Sequence, residues 1–275
     1  MASRRRSSLV ALEKISPNRT SPRTNAICRL TPHCVGGNLT PEAILGLSNF
    51  QKYDPNNGAS CTYAIGSTGR TVLGVPETDR PWTTGSGKND HQAITFEIAN
   101  NGGAPDWRMS DAALNAWVNL AVEVARFYGF KKVSYMDKPS HIPRGEAATE
   151  AWIKTWAPSD AMIITLHRWY GNKECPGNYF VGKLPELVKR INATLAGAET
   201  SVPTPVAAKS SLVRVAVSAL NVRKGPGTNY PVVKVLRNDP NTYTIVEEAT
   251  GIGAAKWGKL KSGIGWIALN HTKPV

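Results

Sequence analysis

Residues 161–177 read AMIITLHRWYGNKECPG, and this stretch decides the reading of the fold. Its first six residues are apolar or β-branched. They are too few for a helix, so Ala161–Leu166 is expected to be a short buried strand. Working backwards, Thr149–Trp156 has helical spacing. Ser110-Asp111 caps a periodic helix with Leu114, Trp117, Val118, Ala121, Val124, Ala125 and Tyr128 on one face and Gly129 at its end. Ala93–Ala99, AITFEIA, alternates as a strand does. Working forwards, Pro185–Leu195 is an amphipathic helix closed by Gly197. Strands interleaved with helices predict an α/β or α+β domain.

Nearer the N-terminus, Ile27–His33 reads as a strand, and Thr40-Pro41-Glu42 opens a helix over Ala43–Phe50. Ala59–Val75 reads as a hairpin turning at Ser67-Thr68-Gly69. The first ~24 residues, rich in Arg and broken by Ser-Pro steps, are expected to be a poorly ordered arm or an extended basic lead-in. Their apolar stretch stops at Glu13 and Lys14, short of a secretory signal core. Residues 197–211, rich in Pro, Ser, Thr and Ala, read as a linker. Beyond it about six short strands separated by Gly/Pro turns predict a small β-barrel. The expected division is 1–196, linker 197–211, and 212–275.

The 275 residues carry a net charge of +13, and the 75 after Thr200 alone carry +7. Such a surface attracts polyanions. Nucleic acid is disfavoured, because no nucleic-acid motif is present and the basic residues are scattered rather than striped. No apolar run approaches the ~20 residues that span a bilayer, so no membrane insertion is expected. The four cysteines, Cys28, Cys34, Cys61 and Cys175, show no regular spacing and no disulfide framework.

His167 follows the strand 161–166, and Cys175 lies eight residues on, across a loop able to fold back. Such a pair can share one Zn²⁺. His33, also placed after a short apolar segment, is the candidate third ligand. Two His and one Cys leave a position open, the arrangement of catalytic rather than structural zinc. Lys173, two before Cys175, can face a developing oxyanion. Glu97 interrupts AITFEIA on the face of Ala93, Thr95 and Ala99. It is either solvated or on a cleft floor, where it can act as a general base. Each residue has a plainer reading too: a hydrogen-bonded His, a core Cys, an exposed loop Lys. Trp82 and Trp169 can line a groove or fill a core.

Taken together, LTPHCVGG around His33, SCTYAIGSTGRT around Tyr63, NDHQAITFEIAN around Glu97 and LHRWYGNKECPG from His167 resemble the zinc-dependent N-acetylmuramoyl-L-alanine amidases. That family groups phage endolysins of the T7-lysozyme type with the peptidoglycan recognition proteins. The resemblance covers roughly residues 15–195. It implies a mixed central sheet with flanking helices and a groove over one catalytic Zn²⁺ held by His33, His167 and Cys175. It implies hydrolysis of the amide between N-acetylmuramic acid and L-alanine, with Lys173 and Glu97 at positions matching catalytic residues of the family; in such a groove Tyr63, Trp82 and Trp169 are candidates to touch substrate. One departure stands out: Cys61 occupies the place of a family tyrosine. Strand alternation puts Tyr63 on the same face as Cys61, so Tyr63 could replace that tyrosine only by reaching.

The C-terminal ALNVRKGPGTNYPVV (219–233), KWGKL (256–260) and GWI (265–267) resemble a bacterial SH3 (SH3b) domain. This implies an SH3-like barrel that binds peptidoglycan and, through its basic surface, anionic wall polymers. The combination implies an endolysin made in a host bacterial cytoplasm and acting on the wall after release. The competing readings are a catalytically silent peptidoglycan-binding protein and a zinc peptidase cutting within the stem peptide.

Overall fold

The structure is a computed structural model; it describes residues 4–10, 12–197, 211–228, 230, 232–237, 241–251 and 253–275. The chain divides into two units, Met1–Thr200 and Ser201–Val275. The expected linker 197–211 lies, apart from its two ends, outside the described residues.

The first unit runs β1 (Arg19–Thr20), β2 (Arg29–Cys34), α1 (Pro41–Ile44), α2 (Ser48–Gln51), β3 (Tyr63–Ile65), β4 (Thr71–Leu73), β5 (Arg80–Pro81), α3 (Gly87–Gln92), β6 (Ala93–Ile98), α4 (Asp111–Phe127), β7 (Val133–Ser134), α5 (Glu146–Trp156), β8 (Met162–Ile164), a 3-10 turn (His167–Trp169) and α6 (Asn178–Leu195). Six strands form one sheet in the order β4-β3-β6-β2-β8-β7, parallel except for the β3–β4 hairpin. The architecture is the expected mixed α/β sheet with flanking helices.

The two faces of the sheet differ in chemistry because side chains alternate along each strand. One face presents Leu30, Tyr63, Ile94, Phe96, Ile98 and Ile164. It packs on Leu114, Trp117 and Ala121 of α4 and on Phe180, Leu184 and Leu187 of α6. Trp117 stands edge-on to Phe96 and Phe180, with ring centroids 6.3 and 5.0 Å away. The other face is polar: Thr31, His33, Thr95, Glu97 and Thr165, with Thr31 level with Thr95 and His33 level with Glu97.

The helices are longer or more broken than their local patterns suggest. α6 begins at Asn178, seven residues before Pro185, which sits inside it. Its apolar face continues past the proline, so packing outweighs the lost backbone bond. The helix expected over 43–50 is two short ones, parted at Gly46. α3 was absent from the sequence reading; Ser86 caps it by accepting from the Asn89 N–H.

The N-terminal arm runs along the body of the first unit, held to it by hydrogen bonds and ion pairs. Arg4 donates to Glu77 (2.8 Å) and Glu123 (2.6 Å). The Ser7 N–H donates to the Tyr63 hydroxyl, and Lys14 and Ser16 N–H donate to Leu73 and Gly74 carbonyls. β1 then pairs with β5, Thr20 opposite Arg80. The arm's basic residues find acids on the body, which a composition argument cannot see.

The second unit is a seven-stranded antiparallel sheet: β9 (Ser211–Val215), β10 (Ala219–Arg223), β11 (Val232–Arg237), β12 (Tyr243–Gly251), β13 (Ala254–Leu260), β14 (Trp266–Ala268) and β15 (Thr272–Pro274), in the order β11-β10-β14-β13-β12-β9-β15. Its core holds Val213, Val222, Ile245, Trp257 and Ile267. Among the described residues no helix is long and apolar enough to cross a membrane.

Candidate metal centre

β2 and β8 are parallel neighbours, with Leu30 level with Ile164 and the Thr165 N–H bonded to the Leu30 carbonyl. Their C-terminal ends therefore deliver His33 and His167 side by side, ring centroids 4.9 Å apart. The loop after His167 folds back through the Gly171 N–H on the His167 carbonyl and the Arg168 N–H on the Cys175 carbonyl. This brings Cys175 Sγ to 3.3 Å from His33 Nδ1. One ligand atom from each of His33, His167 and Cys175 lies within 4.8 Å of the others. Gly177 ends the loop at φ +93°, where a Cβ would stand 2.6 Å from the Asp106 carbonyl oxygen. Only glycine lets the chain turn there into α6.

Electrostatics suit a cation. Burial, reinforced by His167, holds His33 well below the usual imidazole value; burial and the Lys173 charge push His167 down to about 4. Both rings are therefore neutral, the form that ligates metals. Burial pushes the Cys175 thiol up, as does the adjacent Cys34. A divalent cation bound there would reverse that shift and favour the thiolate. The Cys34 N–H donates to Cys175 Sγ (3.3 Å), a bond that steadies a thiolate. Two neutral imidazoles and a thiol converging within a few ångströms fit Zn²⁺.

Glu97 lies on the same face. Its Oε1 is 4.0 Å from His33 Nδ1, while its Oε2 has no hydrogen-bond partner. Burial and the neighbouring Cys34 raise its carboxyl well above the usual range. Glu97, His167, Lys173 and Trp82 line one cavity of about 610 Å³, so Glu97 sits on a cleft wall rather than in open solvent. Trp82 is fixed by its indole N–H on the Thr20 hydroxyl (3.0 Å).

Two expected residues are not in this group. Tyr63 is fully buried; its ring stacks on Phe96 and its hydroxyl donates to Glu77 (2.5 Å). The chain bends before β3, where the Thr62 N–H bonds the Thr95 hydroxyl, and alternation is broken. Cys61 thus lies on the Glu97 side, among Ile44, Leu45 and Ala64, and Tyr63 on the other. Trp169 is core, stacked on Tyr135 and edge-on to Trp152, so neither Tyr63 nor Trp169 reaches the cavity. Sequence reasoning gave no role to Cys34 or Arg80, both of which line the cavity. The adjacency of Cys34 to His33 was a usable signal; nothing local marked Arg80.

The family model described as N-acetylmuramoyl-L-alanine amidase (Amidase_2) matches residues 23–178. The chain belongs to this amidase family. Among solved structures it is similar to PlyL (16% identity, 66% of this chain and 95% of PlyL, TM-score 0.41). It is similar also to the N-acetylmuramoyl-L-alanine amidase LysC from Clostridium intestinale URNW (15%, 65% and 97%, TM-score 0.41). A third is the Ph2119 endolysin from Thermus scotoductus MAT2119 bacteriophage Ph2119 (12%, 61% and 88%, TM-score 0.37). No curated protein sequence matches the chain. The matched residues contain the whole His–His–Cys cluster of the amidase, and stop before the second unit.

Proposed function

We propose that this amidase is a zinc-dependent peptidoglycan hydrolase of the endolysin kind, cutting between N-acetylmuramic acid and L-alanine. The observation that carries the reading is the convergence of His33, His167 and Cys175 next to a cavity lined by His167 and by Glu97, whose Oε2 has no hydrogen-bond partner. His33, His167 and Cys175 would hold Zn²⁺, which would supply Lewis acidity to the reaction. Burial favours the protonated Glu97 carboxyl, and a divalent cation beside it would favour the carboxylate. In that form Glu97 takes the proton of the attacking water and returns it to the departing amine. The Lys173 ammonium stabilises negative charge developing on the carbonyl oxygen. Trp82 offers a fixed aromatic wall to the sugar or lactyl group.

The second unit, residues 212–275 joined through 197–211, acts as an SH3b wall-binding module. Its motif residues and its net charge of +7 after Thr200 support binding to peptidoglycan and anionic wall polymers. Tethering raises the effective concentration of the hydrolase at the wall. The protein is made in a host bacterial cytoplasm and meets the wall on release.

The deciding experiment is end-group analysis of Gram-positive peptidoglycan digested with and without a zinc chelator. New L-alanine amino termini without new reducing sugars, lost with chelator and in Cys175→Ser, are expected. Termini at other residues make it a stem peptidase. Wall binding with no new termini makes it a recognition protein.

A further inference from the structure

The cavity lined by His167, Glu97 and Lys173 extends to Arg80. Arg80 opens β5, whose backbone is pinned to β1 by the Thr20–Arg80 pairing; Arg19 anchors the same turn through Asp79 (3.0 Å). A Cβ at Gly87 would stand 3.2 Å from Arg80 Nη1, so the glycine leaves the guanidinium its place.

The partners of Arg80 set it apart. Arg4 pairs with Glu77 and Glu123, Arg29 with Glu150, and Arg23 donates to five backbone carbonyls. The side chain of Arg80 has no hydrogen bond or ion pair among the described residues, and its Nε is shut off from water. Asp90, on the same cavity wall, is already committed to the N–H groups of Thr83 and Thr84 and the Thr84 hydroxyl. A partly desolvated guanidinium without an internal anion is costly. Its planar fork matches a carboxylate in two parallel bonds. The cavity's other cation, Lys173, sits on the Cys175 loop by His167, where the reacting carbonyl would lie.

Resting on the amidase reading, we propose that Arg80 is a specificity-determining residue that binds a carboxylate of the stem peptide. The acidic peptide is gripped at Arg80 while its first amide lies at His33, His167 and Cys175.

The test uses the full chain loaded with zinc and two soluble substrates: an N-acetylmuramoyl peptide with free carboxylates and the same molecule fully amidated. The native enzyme is expected to prefer the acid by about 10- to 100-fold in kcat/KM, the range of a charge-assisted bond. In Arg80→Gln that ratio falls to about one, through a raised KM for the acid. Arg80→Lys retains part of it. Zinc content and urea midpoint are measured on each variant. Equal treatment of the two substrates by the native enzyme overturns the proposal, as does an equal loss on both in a folded Arg80→Gln. Should Arg80→Gln fail to fold, the native acid-to-amide ratio and its decline with added salt decide. If the native enzyme frees no L-alanine terminus from either substrate, the amidase reading fails instead. Calorimetric binding of the acid and amide forms then judges Arg80 alone.

Discussion

Glu97 and Tyr63 show how one residue's surroundings set its role. Glu97 keeps an oxygen without a donor in a cavity wall, as a proton acceptor needs. Glu97→Gln is expected to lower kcat by about 10²- to 10⁴-fold with zinc content unchanged, measured by metal analysis beside steady-state kinetics. A loss of zinc in that variant would assign Glu97 to holding His33 instead. Tyr63 spends its hydroxyl on the Ser7 N–H and Glu77. Tyr63→Phe should therefore destabilise by about 1–3 kcal/mol in urea unfolding and leave KM where it was, since the group it strands is buried.

Between the elements, a threonine layer ties the two ligand-bearing strands together. The Thr31 and Thr165 hydroxyls are 2.8 Å apart, and Thr165 donates to Asn89 of α3 (2.9 Å). Each threonine stands two residues before a ligand histidine, so the layer sets the spacing of the site. Thr165→Val is expected to weaken zinc binding about 10-fold or more, read by competition with a chromophoric chelator, as losses of supporting bonds usually do. The N-terminal arm has a comparable structural part at the other end of the unit. Glu77 is wholly buried and takes Arg4, Tyr63 and Tyr128 as donors. Arg4→Met removes its cation and should cost about 3–5 kcal/mol of unfolding free energy, the cost of breaking a buried pair.

For the whole molecule, two separately cored units predict two unfolding transitions in calorimetry rather than one. If the second unit serves the wall, a chain ending at residue 200 should cleave a soluble muropeptide at the full-length rate. It should clear whole walls more slowly, by about 10²-fold or more. Equal rates on both would remove the targeting role from residues 212–275.

Local pattern carried the strands around 93–98 and 162–164, the helix of 111–127, and the His167–Cys175 pair, because periodicity and loop spacing are properties of neighbouring residues. His33 joined that pair as a candidate through its place after another short apolar segment and through the family resemblance. Tertiary structure alone decided what depends on distant partners. The bend at Thr62, held by Thr95 of another strand, chose which of Cys61 and Tyr63 faces Glu97. Packing against Tyr135 and Trp152 made Trp169 core. Glu77 and Glu123 hold in place an arm that its own composition leaves either poorly ordered or extended. The absence of any hydrogen-bond or ion-pair partner for its side chain among the described residues, visible only once the chain is folded, singled out Arg80 among the arginines of the first unit. Burial and pairing are sums over the whole fold, and no window of sequence contains them.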